Sequence, residues 1–113
     1  MAVSSDVLRG HTETVILRIL IDGDSYGYEI TKRIIEGGEG LIDVKDATVY
    51  TAFRRMEQEE LISTYWGDGV GGARRKYYKI TDKGAIIYEE KKQEWVEVSK
   101  LLNNLILGGN QQC

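Results

Sequence analysis

Through the first half of the chain, apolar residues recur at intervals of three and four. Leu8, Val15, Ile16, Ile19 and Leu20 fall at helical spacing between Asp6 and Ile21, which predicts a first helix with one buried stripe. Asp22-Gly23-Asp24-Ser25 stops it, and Asp24 or Ser25 is placed to cap a second helix over about residues 25–36, with Ile30, Ile34 and Ile35 facing inward. Gly37, Gly38 and Gly40 end that helix. Leu41 to Val44 reads as a single edge strand or an extended link. Asp46 is expected to cap a third helix over about residues 47–60, in which Val49, Phe53 and Met56 lie at i, i+4 and i+7 and form the buried face. Burying those three turns Thr48, Thr51, Arg54 and Arg55 outward.

The period then changes to two. Leu61 to Trp66 alternates, with Ile62, Thr64 and Trp66 on one side and Leu61, Ser63 and Tyr65 on the other. Gly67 to Gly72 reads as the turn, and residues 74–81 as the return strand. Thr81 or Asp82 caps a last helix reaching about Leu107, along which Tyr88, Trp95, Val98, Leu102 and Leu105 make a seam widened by Leu101 and Ile106. No proline occurs, so no helix is forced to kink. The expected fold is mainly α with a two-stranded β wing. Residues 1–82 form a winged helix-turn-helix, 83–107 a C-terminal dimerisation helix and 108–113 a disordered tail.

Composition narrows the function by exclusion. With 113 residues the chain is expected to be one domain with a modest core that a partner subunit can complete. The single cysteine is Cys113, so neither an intrachain disulfide nor a thiolate metal site is expected. One histidine, His11, with no paired nucleophile or carboxylate, argues against an enzyme and against a cofactor; His11 itself reads as a partly exposed residue of the first helix. No apolar run reaches the roughly 18–20 residues of a membrane span, and residues 1–6 lack a charged-then-apolar signal pattern. A reducing, cytoplasmic location is the expectation.

Net charge is −3 and the pI near 5.2, which taken as totals argue against nucleic acid. The distribution reverses that. Residues 1–44 carry 8 acids and 4 bases, residues 45–83 carry 6 acids and 8 bases, and residues 84–113 carry 4 acids and 3 bases. The one positive segment is the third helix with the hairpin, and local field governs steering more than the total does. Thr48, Tyr50, Thr51, Arg54 and Arg55 on a helix, beside Arg74, Arg75 and Lys76 on a strand, suit double-stranded DNA: the helix offers donors to base edges and the wing offers cations to phosphates. Blander readings stand beside this. Charges on an edge strand also act against aggregation, and Tyr50 is placed to pack on the helix shoulder as well as to donate to a phosphate. Gly67 to Gly72 has the glycine spacing of a phosphate loop, yet a strand rather than a helix follows it. Trp95 suits burial in a dimer interface, and its flat indole also suits stacking on a planar aromatic ligand.

Four linked motifs carry a family resemblance. Tyr26-Gly27-Tyr28-Glu29, Ala47-Thr48-Val49-Tyr50, Arg75-Lys76-Tyr77-Tyr78 and Ile80-Thr81 with Gly84 resemble, in order and spacing, the signature of PadR-family transcriptional regulators over about residues 8–98. The single terminal helix resembles the family's small branch, which includes multidrug-responsive repressors. That resemblance implies a homodimeric repressor joined through the last helix, on an inverted-repeat operator with half-sites like ATGT and ACAT. It also implies that Trp95, where a ligand-stacking tryptophan of the family would stand, faces its twofold mate and sandwiches flat aromatic compounds. Gly72-Ala73 replaces the proline that often precedes the family's basic wing strand, which bears on the wing's stiffness rather than its charge. A winged helix that binds protein instead of DNA is the competing expectation, and overall acidity is its best support.

Overall fold

A computed structural model of the chain describes residues 5–108; Cys113 and most of the expected disordered tail lie outside the described residues. The elements run α1 (Ser5–Leu8), α2 (Thr12–Ile21), β1 (Ser25–Tyr26), α3 (Gly27–Gly37), α4 (Asp46–Gln58), β2 (Ile62–Asp68), β3 (Arg74–Ile80) and α5 (Asp82–Leu107). One core joins them. Ile16, Leu17, Ile19 and Leu20 of α2 meet Ile30 and Ile34 of α3 and Val49, Ala52, Phe53 and Met56 of α4, and Leu61, Ile62 and Tyr78 close the cluster from the sheet. The stripe expected on α4 is the stripe observed, with Ala52 added.

Several local expectations need correction, each for a backbone reason. The first helix is two helices, because Gly10 adopts a φ of +87° between Leu8 and Thr12 and breaks the hydrogen-bond ladder there. Neither Asp24 nor Ser25 caps the second helix, and Ser25 and Tyr26 lie before its first turn. They form a short strand, so the sheet has three strands, ordered β1-β3-β2 and antiparallel throughout. Tyr26 is then the N-cap residue of α3, and Lys45 rather than Asp46 is that of α4, leaving Asp46 as an acid in the first turn where the helix dipole favours it. Ile35 is exposed rather than inward. Gly67 and Asp68 extend β2, and the turn narrows to a short 3-10 segment at Val70–Gly72 with Gly71 and Gly72 at positive φ.

The ladder registers Ile62 on Ile80, Thr64 on Tyr78 and Trp66 on Lys76, so the side-chain alternation read from the sequence is the one the sheet uses. Its inner end faces α4, where Tyr78 stacks on Phe53 with ring centroids 4.0 Å apart and planes 23° apart. Burial, with smaller contributions from Glu57 and Tyr50, pushes the Tyr78 phenol up to about 12. Between α2 and α3, Asp22 accepts from Arg18 at 2.9 Å and from Arg33 at 3.1 Å, and those two hydrogen bonds hold its carboxyl below the usual range.

α5 starts at a site built for it. Thr81 caps the helix by accepting from the Gly84 amide at 3.0 Å, and its hydroxyl donates to the Glu60 carbonyl at 2.7 Å. Gly84 itself sits against the Leu61 backbone: a Cβ there would lie 2.1 Å from the Leu61 carbonyl oxygen and 2.9 Å from Cγ1 of Ile80. The Ile-Thr-x-x-Gly motif is therefore a cap followed by a close approach. Because a carbonyl cannot swing aside as a side-chain tip can, Gly84→Ala is expected to destabilise by about 1–3 kcal/mol despite alanine's better helix propensity. Urea unfolding at fixed protein concentration measures this, and an unchanged midpoint would refute the close approach.

Candidate nucleic-acid interface

The buried stripe of α4 decides what its other faces can do. At 3.6 residues per turn, the ridge directly opposite Val49, Ala52, Phe53 and Met56 consists of Ala47, Thr51, Arg54 and Gln58, all exposed. Of Thr48, Thr51, Arg54 and Arg55, the four expected to face outward, Thr51 and Arg54 stand on the ridge itself. They also touch, Arg54 Nη2 donating to Thr51 Oγ1 at 3.3 Å. Thr48 and Arg55 lie on the shoulder turned toward α2, where they line an open groove of about 480 Å³ with Glu13, Asp43 and Lys45. Tyr50 lies on the opposite shoulder, toward α3 and the sheet.

Carboxylates sort the cations further. Arg55 Nε lies 3.5 Å from Glu13 and 3.7 Å from Glu59, so its charge is locally matched. Lys76 Nζ lies 3.8 Å from Glu57. Arg54, Arg74 and Arg75 have no carboxylate within ion-pair distance among the described residues. All these pairs are partly exposed, where such contacts contribute on the order of 1 kcal/mol or less, so Arg55 and Lys76 are biased rather than locked. The sequence could not separate the groups: Glu13 is 42 residues away from Arg55, and the α2–α4 packing alone brings them together.

The wing cations rest on aromatic rings. Arg74 lies 5.4 Å from the Trp66 indole, Arg75 lies 3.9 Å over Tyr26, and Lys76 lies 5.6 Å from Tyr78. Trp66 (58% exposed) belongs with these wing cations and was not singled out as a site residue from the sequence. The signal available for Trp66 was its strand phase, which puts it on the same face as Lys76 but beyond the core.

Tyr50 is both packed and open. Its ring meets Phe53 edge-on at 5.3 Å and lies over Gly27, where a Cβ would come within 2.2 Å of the hydroxyl, yet it remains 43% exposed. The Tyr-Gly-Tyr and Val-Tyr motifs therefore meet in space: the missing side chain of Gly27 is the seat of Tyr50. Trp95 is half exposed too, with its indole meeting the His11 imidazole edge-on at 4.9 Å. His11 stands at the N-cap position of α2 and not within a helix. Tyr88 packs against the core and Val98 is half buried, while Leu102 and Leu105 face outward at 42% and 78% exposure, joined by exposed Leu101, Ile106 and Leu107.

Comparison with known proteins agrees with this geometry. The sequence model described as the transcriptional regulator PadR-like family matches residues 16–90. An uncharacterized protein of Lysinibacillus sphaericus is 40% identical over 106 residues, which is 94% of this chain and 97% of that one. Among solved structures, a transcriptional regulator from Clostridium thermocellum is similar at 44% identity with a TM-score of 0.82, covering 91% of this chain and 97% of its own. A PadR family transcription regulator from Clostridium difficile is similar at 39% identity with a TM-score of 0.75, covering 85% of this chain and 98% of its own.

The seat of Tyr50 gives a direct test. Gly27→Ala is expected to eject the Tyr50 ring while leaving stability within about 1 kcal/mol, because the ring can swing into solvent and alanine favours the helix by a similar amount. Chemical denaturation and fluorescence anisotropy on DNA separate the two effects. Binding that falls to the level of Tyr50→Ala with an intact fold is the expected result, and parental affinity would mean the seat has no part in recognition.

Proposed function

We propose that this chain, which belongs to the PadR-like family of transcriptional regulators, is a homodimeric, cytoplasmic repressor whose two winged heads grip an inverted-repeat operator. The observation that carries this reading is that Arg54 on the α4 ridge and Arg74 and Arg75 on the wing have no carboxylate within ion-pair distance among the described residues. Thr51 and Arg54 enter the major groove, with Thr48 beside them, and Tyr50, Arg74, Arg75 and Lys76 hold phosphates. Arg55 joins them when DNA competes with Glu13 and Glu59.

Residues 1–82 serve as the head and 83–107 as the dimerisation helix. α5 has 26 residues, about 39 Å at 1.5 Å per residue. Its second half offers Trp95, Leu101, Leu102, Leu105 and Ile106 to solvent in one protomer. An apolar stripe of that length needs a cover, and a second α5 around a twofold axis supplies one of matching chemistry. The same axis sets the operator symmetry, with half-site centres about one helical turn, ~10 bp, or a multiple apart. Trp95, open on one side and edged by His11, is the proposed stacking surface for a planar aromatic ligand, whose binding between protomers changes the angle of the heads and releases DNA.

For the wing, Arg75→Ala is expected to weaken all DNA sequences about equally and to reduce the log–log salt slope by roughly one unit. Titrations at several salt concentrations measure it; an unchanged affinity and slope would remove Arg75 from the interface.

For the ligand, Trp95→Ala dimers are expected to stay folded, losing much less than the roughly 3–5 kcal/mol of a fully buried tryptophan, while flat aromatic compounds cease to quench fluorescence or displace DNA. Trp66 remains as a second fluorophore, so the difference between parent and variant is the quantity to read. A broad aromatic screen that quenched neither protein would leave Trp95 as an interface residue only.

A further inference from the structure

Tyr26 stands outside every role assigned so far, and its surroundings are unusual. It is the last residue of β1 and the N-cap residue of α3, so it belongs to both the sheet and the helix-turn-helix. The ladder sets it directly opposite Tyr77, which makes Arg75, two residues before Tyr77, its diagonal neighbour on the same face. The rings of Tyr26 and Tyr77 meet edge-on at 5.8 Å, and Tyr77 stacks in turn on Tyr65 at 5.5 Å. Tyr65 donates to Asp24 at 2.6 Å, tying the far end of this aromatic row to the loop before β1.

Arg75 has one place to go on that face. Its direct partner on β2 is Gly67, which offers no side chain, and the space a Cβ would fill there is taken by the Tyr77 ring at 2.7 Å. The Arg75 guanidinium therefore lies on Tyr26, with Cζ 3.9 Å from the ring centroid. Among the wing cations this is the shortest ring contact, and unlike Lys76 it involves no carboxylate. The difference matters chemically. An ion pair occupies the N–H donors that a phosphate would use, whereas a ring holds the guanidinium by its face and leaves the five donors at its edge free.

We propose that Tyr26 is a positioning residue for DNA binding: its ring fixes the plane and reach of Arg75 so that the wing meets a phosphate with an already ordered guanidinium whose edge donors are free. This rests on the reading of Arg75 as a phosphate contact. Because Tyr26 also starts α3, the same stack sets the wing at a fixed distance from the helix-turn-helix, so that α4 and Arg75 engage one duplex in register. Ordering a long side chain before binding removes part of the entropic cost of the contact, and a lysine could not replace it, since an ammonium has no plane to stack.

A double-mutant cycle on the full-length protein tests this, reading operator affinity and salt slope. Tyr26→Phe is expected to bind within about twofold of the parent, and Tyr26→Leu about three- to fivefold more weakly, within the range of a partly exposed cation–π contact. Tyr26→Leu combined with Arg75→Ala is expected to be no weaker than Arg75→Ala alone. Arg75→Lys guards against misfolding of Tyr26→Leu, since it alters only a half-buried wing side chain outside the core. It is expected to weaken binding several-fold beside Tyr26 and to have no effect when combined with Tyr26→Leu. Fully additive losses, or Tyr26→Phe as weak as Tyr26→Leu, would overturn the proposal while leaving Arg75 as a contact. A neutral Arg75→Ala would instead overturn the wing reading and this inference with it.

Discussion

The stack of Phe53 on Tyr78 is the joint on which the molecule depends. Phe53 comes from α4, and Tyr78 comes from the central strand of the sheet, paired with Ser25 on one side and Thr64 on the other. Both rings are almost wholly buried. Two large flat groups at 4.0 Å allow little rotation of helix against sheet, so the outward ridge of α4 and the cations of β3 keep one relation to each other. Polar interactions at the surface are too weak to do this. The Asp22 clip to Arg18 and Arg33 and the pairs made by Arg55 and Lys76 are solvent-exposed, and they tune which cations are available rather than where the elements sit.

Glycines extend the same logic by letting elements touch. Gly27 makes room for Tyr50, Gly67 for Tyr77 and Gly84 for the Leu61 carbonyl. In each case two motifs that are distant in sequence become one contact. The proposed reading of DNA by a helix and a hairpin needs both surfaces at a fixed separation, and these close approaches together with the Phe53–Tyr78 stack are suited to supply it. The acidic total is compatible with that task because 12 of the 18 acids lie in residues 1–44 and 84–113, while among the described residues the ridge and wing keep arginines without carboxylate partners.

Much of this was legible from the residues alone. The four-then-three spacing of Val49, Phe53 and Met56 identifies the buried face of α4, and hence its outward residues, because an α-helix repeats every 3.6 residues. The period-two run at Ile62, Thr64 and Trp66 identifies the phase of β2 for the same reason. Thr81 and Gly84 announce the start of α5 through capping chemistry that is local to the chain. The wing's cations and the apolar seam of α5 are likewise written in order.

Tertiary structure decided the rest, because its causes lie between residues far apart in sequence. Ser25 and Tyr26 become a strand since β3 offers them an unpaired edge, and a two-residue strand leaves no periodicity to detect. The first helix breaks at Gly10, where the chain must turn, although glycine is tolerated in helices elsewhere and gives no warning by itself. Arg54 and Arg55 look alike as neighbours, yet only packing α2 beside α4 brings Glu13 to Arg55 and leaves Arg54 with no carboxylate partner among the described residues. Sequence periodicity determined which faces this protein buries; the packing of those faces determined which of its arginines remain to meet a partner, since an ion pair or a ring stack forms only where two distant segments are held within a few ångströms.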